Sequence, residues 1–284
     1  MTISLHTHSA YSLLDGANRP YDLVKRGSEL GYKAIALTDH NSLSGVWEFQ
    51  RLALDAGIKP IIGCEITLPD NSHLTFLAEN YTGYQKLCLY LNSVEQREKD
   101  LPSSEGILVL SGCRNSRLAK LILKRQYQEA FDQAAFWANF WPGRFFIELC
   151  HDRLPKTKEI FSRLSEIAER LNLPTVATVD VHYAYPEDFY IHDGLSCVRL
   201  GIKLDDIHPE RSFNNASYLC DDQELKERFS AYPKALAMTD NIAEICDSKP
   251  LSPPNLLPKI PNASDKLTKL ALEGFYRKYP CKTL

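Results

Sequence analysis

No stretch of the 284-residue sequence is long and apolar enough to span a bilayer, and its first residues show no basic-then-apolar leader pattern. A membrane partner is therefore unexpected, and a cytoplasmic location is the expectation. The eight cysteines (64, 88, 113, 150, 197, 220, 246, 281) never form a C-x-x-C pair. In a chain of this length, that scatter reads as reduced thiols and not as a disulfide framework. An excess of one charge is missing too: 33 Lys+Arg against 36 Asp+Glu leave a net charge of −3. A large nucleic-acid footprint finds no support in that balance, while a grip on a single strand end stays open. The acidic pairs Asp205–Asp206 and Asp221–Asp222 have no glycine-rich phosphate loop or basic stretch beside them, and no Ser-His-Asp arrangement is visible. Nucleotidyl transfer and serine-type nucleophilic chemistry both lose ground on that count.

What is present is the bulk composition of a globular protein, 44% apolar and 24% charged, enough for one large domain or two small ones. Against it stands "SLHTHSAYSLLDG" (4–16), where two of only eight histidines lie one residue apart. On a strand, residues i and i+2 share a face, so His6 and His8 project together. Such a pair is either a hydrogen-bonded surface feature or two ligands of one metal.

Apolar runs alternate with helical patterns through the first 200 residues. Strands are expected around 2–8 and in "AIALTDH" (34–40), "PIIGCEITL" (60–68), "HLTFLAE" (73–79), "GILVLSGC" (106–113), "RFFIELC" (144–150) and "PTVATVDVHY" (174–183). One helix carries Ile160, Phe161, Leu164, Ile167, Ala168 and Leu171 on a stripe; another carries Tyr84, Leu87, Leu91 and Val94. A third is capped by Asn18, has Pro20 in its first turn and stops at Gly31. Repeated β-α units imply an α/β fold with a largely parallel sheet, and about seven strands favour closure into a barrel.

The two-residue period then sorts each strand. Ile62, Cys64, Ile66 and Leu68 share one face, leaving Glu65 with Gly63 on the other; Val179 and Val181 leave Asp180 with His182; His40 is in phase with Ala34, Ala36 and Thr38. Polar residues thus gather near strand C-termini, where barrel enzymes keep their chemistry. Each has a plainer reading. His40 could cap the next helix with Asn41 and Ser42, while Asp39 suits a capping or supporting role. Glu65 is a ligand or half of a buried ion pair, Cys113 a ligand or a small core residue, and Asp15 a ligand or part of a "DG" turn. The turn in "LPDNS" makes the strand opened by His73 antiparallel to its predecessor. Glu148 has the right parity, although an ion pair fits as well. His151, His192 and His208 lack a strand-end setting and read as ordinary.

Taken together, "LHTHSAYSLLDGA", "LGYKAIALTDHNSLSGVWEF", "AGIKPIIGCEITL", "HLTFLAENYTGYQKLC", "LSGC" and "TVATVDVHYAYPED" resemble the polymerase and histidinol phosphatase (PHP) domain. More narrowly, they resemble the PHP domain of bacterial DNA polymerase III alpha subunits, with the short turn of the error-prone branch. The resemblance runs from residue 3 to about 280. It implies a distorted (β/α)7 barrel of the PHP type over 1–247, and over 248–284 a linker toward a polymerase core, supplied in cis or in trans. It also implies three divalent ions (Zn, Mn or Fe) held by His6, His8, Asp15, His40, Glu65, His73, Cys113, Asp180 and His182. "ELCHDR" departs from the family pattern, which leaves the roles of Glu148, Cys150 and His151 open.

That ligand set mixes imidazole, carboxylate and thiolate, so the residues do not single out one metal. The implied chemistry is phosphoester hydrolysis by metal-activated water, with Asp15, Glu65 and Asp180 as the catalytic carboxylates and Glu65 the bridging one. Arg114 and Arg117, at a helix start after Cys113, are candidates for holding substrate phosphate. The favoured substrate is a DNA 3′ end, removed one nucleotide at a time as proofreading. The alternatives are a small-molecule phosphatase of the histidinol-phosphatase type and a metal-stabilised structural module supporting a polymerase. A metal-dependent amidohydrolase also opens with H-x-H, but needs neither the late D-x-H nor Cys113.

Overall fold

The computed structural model describes residues 2–92, 101–209, 211, 214–247, 249, 251 and 260–280; Val94 and Cys281 lie outside them. The chain separates into two units, Met1–Ser252 and Pro253–Leu284. The second contains one described helix, Ala263–Lys278.

The first unit is built on seven strands paired in chain order: β1 Ile3–Ser4, β2 Ala34–Leu37, β3 Lys59–Thr67, β4 His73–Ala78, β5 Ile107–Leu110, β6 Phe145–Cys150 and β7 Thr175–Thr178. All neighbours are parallel except β4, which runs antiparallel to both β3 and β5. That reversal follows from the tight turn at Asp70–Ser72, where the Asp70 side chain accepts from the Ser72 backbone. The ring closes between Thr7 and Val181: His8 N donates to Val181 O at 2.7 Å, and Val181 N donates to His6 O at 3.2 Å. The α/β barrel expected from the alternation is the fold observed.

Helices α1 Pro20–Glu29, α2 Val46–Asp55, α3 Tyr81–Asn92, α4 Arg117–Leu123, α5 Tyr127–Phe140 and α6 Thr157–Leu171 cover the outside. They bury Ile35, Leu37, Ile62, Cys64, Ile66, Val109, Ile147 and Ala177 from the outward strand faces. The α6 stripe at Ile160, Phe161, Leu164, Ile167 and Ala168 is buried as its 3.6-residue spacing requires. Further helices α7 Phe189–Leu200, α8 Asp222–Arg228 and α9 Pro233–Ile245 follow β7. The inward faces form a second apolar cluster of Ile3, Leu5, Ala34, Ala36, Ile61, Leu77, Leu108, Leu110, Phe146 and Val176, joined by Ile242, Ala243 and Cys246 at the end of α9.

Two local expectations change. The first strand is short, because the backbone bends at Leu5 and His6 before pairing again at Thr7. The bend lets both Leu5 and His6 reach the interior, which strict alternation forbids. Asn18 does not cap α1. Arg19 is the N-cap, and buried Asn18 instead donates to the His8 and His182 carbonyls at 2.9 and 3.0 Å, tying the first and last strand ends together.

Candidate metal centre

Along β2, β3, β6 and β7 and the residues just after them, the inward positions turn from apolar to polar toward the C-terminal end. Ile61 gives way to Gly63 and Glu65, Val176 to Thr178 and Asp180, Phe146 to Glu148, and Ala36 to Thr38 and His40. Gly63 is required there, since a Cβ would lie 2.3 Å from the Phe76 carbonyl oxygen on the paired strand. The antiparallel β4 enters from the opposite end, which puts its first residue, His73, on the same rim.

The nine expected residues converge. Glu65, fully buried, lies at the middle: its Oε2 is 2.8 Å from His40 Nδ1, 3.1 Å from His73 Nδ1 and 3.8 Å from His8 Nε2. Its Oε1 is 3.3 Å from His6 Nε2 and 3.5 Å from Cys113 Sγ. Asp180 Oδ1 approaches His8 Nε2 at 3.2 Å, His182 Nδ1 at 3.5 Å and His6 Nε2 at 3.6 Å. Asp15 Oδ2 sits between His182 Nε2 at 2.8 Å and His40 Nε2 at 3.0 Å. The His8 ring stacks on His40 and His182, with centroids 4.4 and 4.6 Å apart.

Burial opposes charge on His6, but Glu148, Asp180 and Glu65 together outweigh it and hold its pKa well above the usual value. Burial likewise opposes charge on His40 and His182, and the carboxylates beside them win; His182 rises to about 9. His8 goes the other way, to about 4, through burial and the neighbouring His40. Glu65, Asp15 and Asp180 are held well below the normal carboxylate range despite burial, by the imidazoles around them. Burial, reinforced by Glu65 and Asp180, pushes the Cys113 thiol up.

Groups behind the rim fix the ring orientations. A carboxylate can only accept, so His6 carries its proton on Nδ1 toward Glu148 Oε1 at 2.7 Å and directs Nε2 inward. Ser12 Oγ gives its one proton to Asp39 Oδ1 at 2.7 Å, which leaves it to accept from His8 Nδ1 at 3.1 Å and from the His40 backbone N–H at 3.0 Å. Asp39 thus has the supporting role that its parity suggests, also receiving the Ser9 N–H and hydroxyl. His192, read as ordinary, belongs to this layer: its Nδ1 donates to the Asp15 carbonyl at 2.7 Å. Glu148 additionally accepts from Gly112 N and Thr178 Oγ1. His151 packs against Phe161 and Phe229, away from the rim residues.

Even so, His6 Nε2, His8 Nε2, Glu65 Oε2, His73 Nδ1 and Asp180 Oδ1 are buried, and although these imidazole and carboxylate atoms approach one another, none of the five makes a hydrogen bond of acceptable geometry. Leaving that many polar atoms so poorly bonded in one spot is costly unless a cation completes them. Three sets of donor atoms lie within 4.8 Å of one another: His6, His8 and Asp180; His8, His40 and His182; and His40, Glu65 and His73. Imidazole nitrogen with carboxylate oxygen is a donor set for Zn²⁺, Mn²⁺ or Fe²⁺, so the residues fit divalent metal. Arg114 is bound elsewhere, to Asp152 Oδ2 at 2.8 Å and the Pro155 carbonyl at 2.6 Å, and Arg117 faces Asp70 at 3.7 Å.

The fold and rim together define a β/α barrel with a candidate metal site at one end. The sequence profile of the PHP domain matches residues 4–152, more than half of the chain, and the protein belongs to the PHP family. It is 36% identical to the error-prone DNA polymerase of Symbiobacterium thermophilum over 98% of this chain and 28% of that one. It is 33% identical to the DNA polymerase III subunit alpha of Escherichia coli K12, over 96% of this chain and 25% of that one. The chain thus spans about a quarter of the length of these relatives. Among solved structures, a candidate metal-dependent phosphoesterase from Bifidobacterium adolescentis aligns with 17% identity and a TM-score of 0.42, over 80% of this chain and 95% of that one. No helix among the described residues is long and apolar enough to cross a membrane.

Proposed function

We propose that this PHP domain is a metal-dependent phosphoester hydrolase acting on DNA 3′ ends, a 3′–5′ exonuclease that proofreads for a family-C polymerase core. The observation that carries the hydrolase reading is the group of five buried ligand-type atoms, none in a well-formed hydrogen bond, that converge from the segment after β1, from β3 and β4, and from the segment after β7. DNA as substrate rests on the polymerase relatives. In this reading His6, His8, Asp15, His40, Glu65, His73, Cys113, Asp180 and His182 hold three divalent ions. Bound ions of this kind supply hydroxide near neutral pH and neutralise charge on the phosphoryl group under attack.

The chain's own residues do the positioning. Glu65 faces different donors with each oxygen, which suits it to bridge. Glu148 and Ser12 hold His6 and His8 in the tautomer that turns Nε2 inward. His192 anchors the loop that carries Asp15. The test is a 3′-labelled single strand incubated with the protein and Mn²⁺ or Zn²⁺. Release of the label as a single nucleotide, abolished by a chelator, is expected; an intact label under every metal would overturn the reading.

A further inference from the structure

The rim carries a basic side chain that sequence patterns do not single out. Arg199 lies in the last turn of α7, and its Nη2 is 3.5 Å from Asp15 Oδ1. Among the described residues it is the one arginine within ion-pair distance of a carboxylate of the proposed metal centre. The separation exceeds the roughly 2.7–2.9 Å of a charge-assisted hydrogen bond, and the side chain is 43% exposed. Its donors therefore remain available to a ligand arriving from solvent. The helix beneath it is anchored. His192, two turns earlier on the same face, holds the Asp15 carbonyl at 2.7 Å, and Asp193 is clasped by Arg211 at 2.6 and 2.8 Å.

We propose that Arg199 binds the substrate's phosphate, offering its planar guanidinium to the non-bridging oxygens beside Asp15; this rests on the phosphoester reading above. A guanidinium fork matches two phosphate oxygens at once, which a carboxylate-bound arginine such as Arg114 cannot do without breaking its own pairs. The phosphate belongs either to an internucleotide ester or to a free monoester.

The experiment measures binding by the metal-loaded 284-residue chain, independently of turnover. A fluorescein-labelled short single strand is titrated by anisotropy, and p-nitrophenyl phosphate and inorganic phosphate are used as competitors. Arg199→Ala should weaken binding about tenfold or more, the usual size for a lost charged hydrogen bond. Arg199→Lys should recover only part of it, since a point charge lacks the fork. The slope of log affinity against log salt should fall by about 0.7 for one lost contact on a single strand. Metal content and thermal midpoint should match the wild type. Weakening for the strand assigns Arg199 to an internucleotide ester, and weakening for the small phosphates alone assigns it to a monoester. Binding within twofold of wild type for all three ligands would overturn the proposal. So would a loss confined to an Arg114→Ala/Arg117→Ala chain. If wild type binds the strand but never cleaves it, the hydrolase reading fails while the Arg199 result still stands or falls on affinity.

Discussion

His6 and Glu148 meet inside the barrel, Nδ1 to Oε1 at 2.7 Å, with both side chains fully buried. The same carboxylate also takes the Gly112 N–H at 2.9 Å and the Thr178 hydroxyl at 2.6 Å. Both Glu148 oxygens are thus occupied by these donors, behind the His6 ring. Replacing it by Gln keeps the volume but puts an amide where three donors converge. Metal affinity should fall by about 10–100-fold, the usual effect of losing such a partner, as measured by competition with a chromogenic chelator. Undiminished affinity in Glu148→Gln would show that His6 orients itself without this contact.

Part of the rim was legible because strands repeat every two residues, whereas Asp15, His73 and Cys113 entered the set through the family resemblance. Glu65 within "IIGCEITL" and the D-x-H after β7 can be placed on the inner face from parity alone, and the structure puts both on the rim. Supporting contacts are long-range: Glu148 reaches His6 across 142 residues and His192 reaches Asp15 across 177. No local pattern encodes those pairs. The bend at Leu5–His6 and the shift of the α1 cap from Asn18 to Arg19 were hidden for the same reason, since closing the barrel decides them. Arg199 has only helix-end context in the sequence, where a cation is unremarkable.

Cys113 and Cys88 allow the proposed thiolate ligand to be compared with a cysteine on a helix. Cys113 is buried with Sγ 3.5 Å from Glu65 Oε1, whereas Cys88 is half-buried on α3. Cys113→Ser should weaken one metal site while Cys88→Ser leaves metal titrations unchanged. Equal effects would return Cys113 to the core.

Gly112 has φ +90°, and a Cβ there would stand 2.4 Å from the His73 carbonyl oxygen. Gly112→Ala should destabilise the barrel by roughly 1–3 kcal/mol through backbone strain, with displacement of His73 lowering metal affinity as well. An unchanged denaturation midpoint would contradict this.

Extension of a primer is not expected from this chain. Asp221 caps α8 by accepting the Glu224 N–H at 2.8 Å, Asp222 pairs with Lys226 at 2.5 Å, and Asp206 accepts the Lys203 N–H at 2.8 Å. These acidic pairs close local turns and helix ends instead of facing a nucleotide. With a primed template and four deoxynucleotides, the purified chain should shorten the 3′ end and add nothing; template-directed extension would refute that.

Metal content tests the centre most directly. The wild-type chain, dialysed with Zn²⁺ or Mn²⁺ and then freed of excess, is analysed by inductively coupled plasma mass spectrometry beside Asp180→Ala and His182→Ala. The nine residues proposed to hold three divalent ions set an expected stoichiometry of about three ions per chain. Each variant should lose metal and thermal stability together, because binding energy at such a site is also folding energy. Identical stoichiometry and midpoint in all three proteins, or a wild-type chain that retains no metal, would contradict a metal centre at this rim.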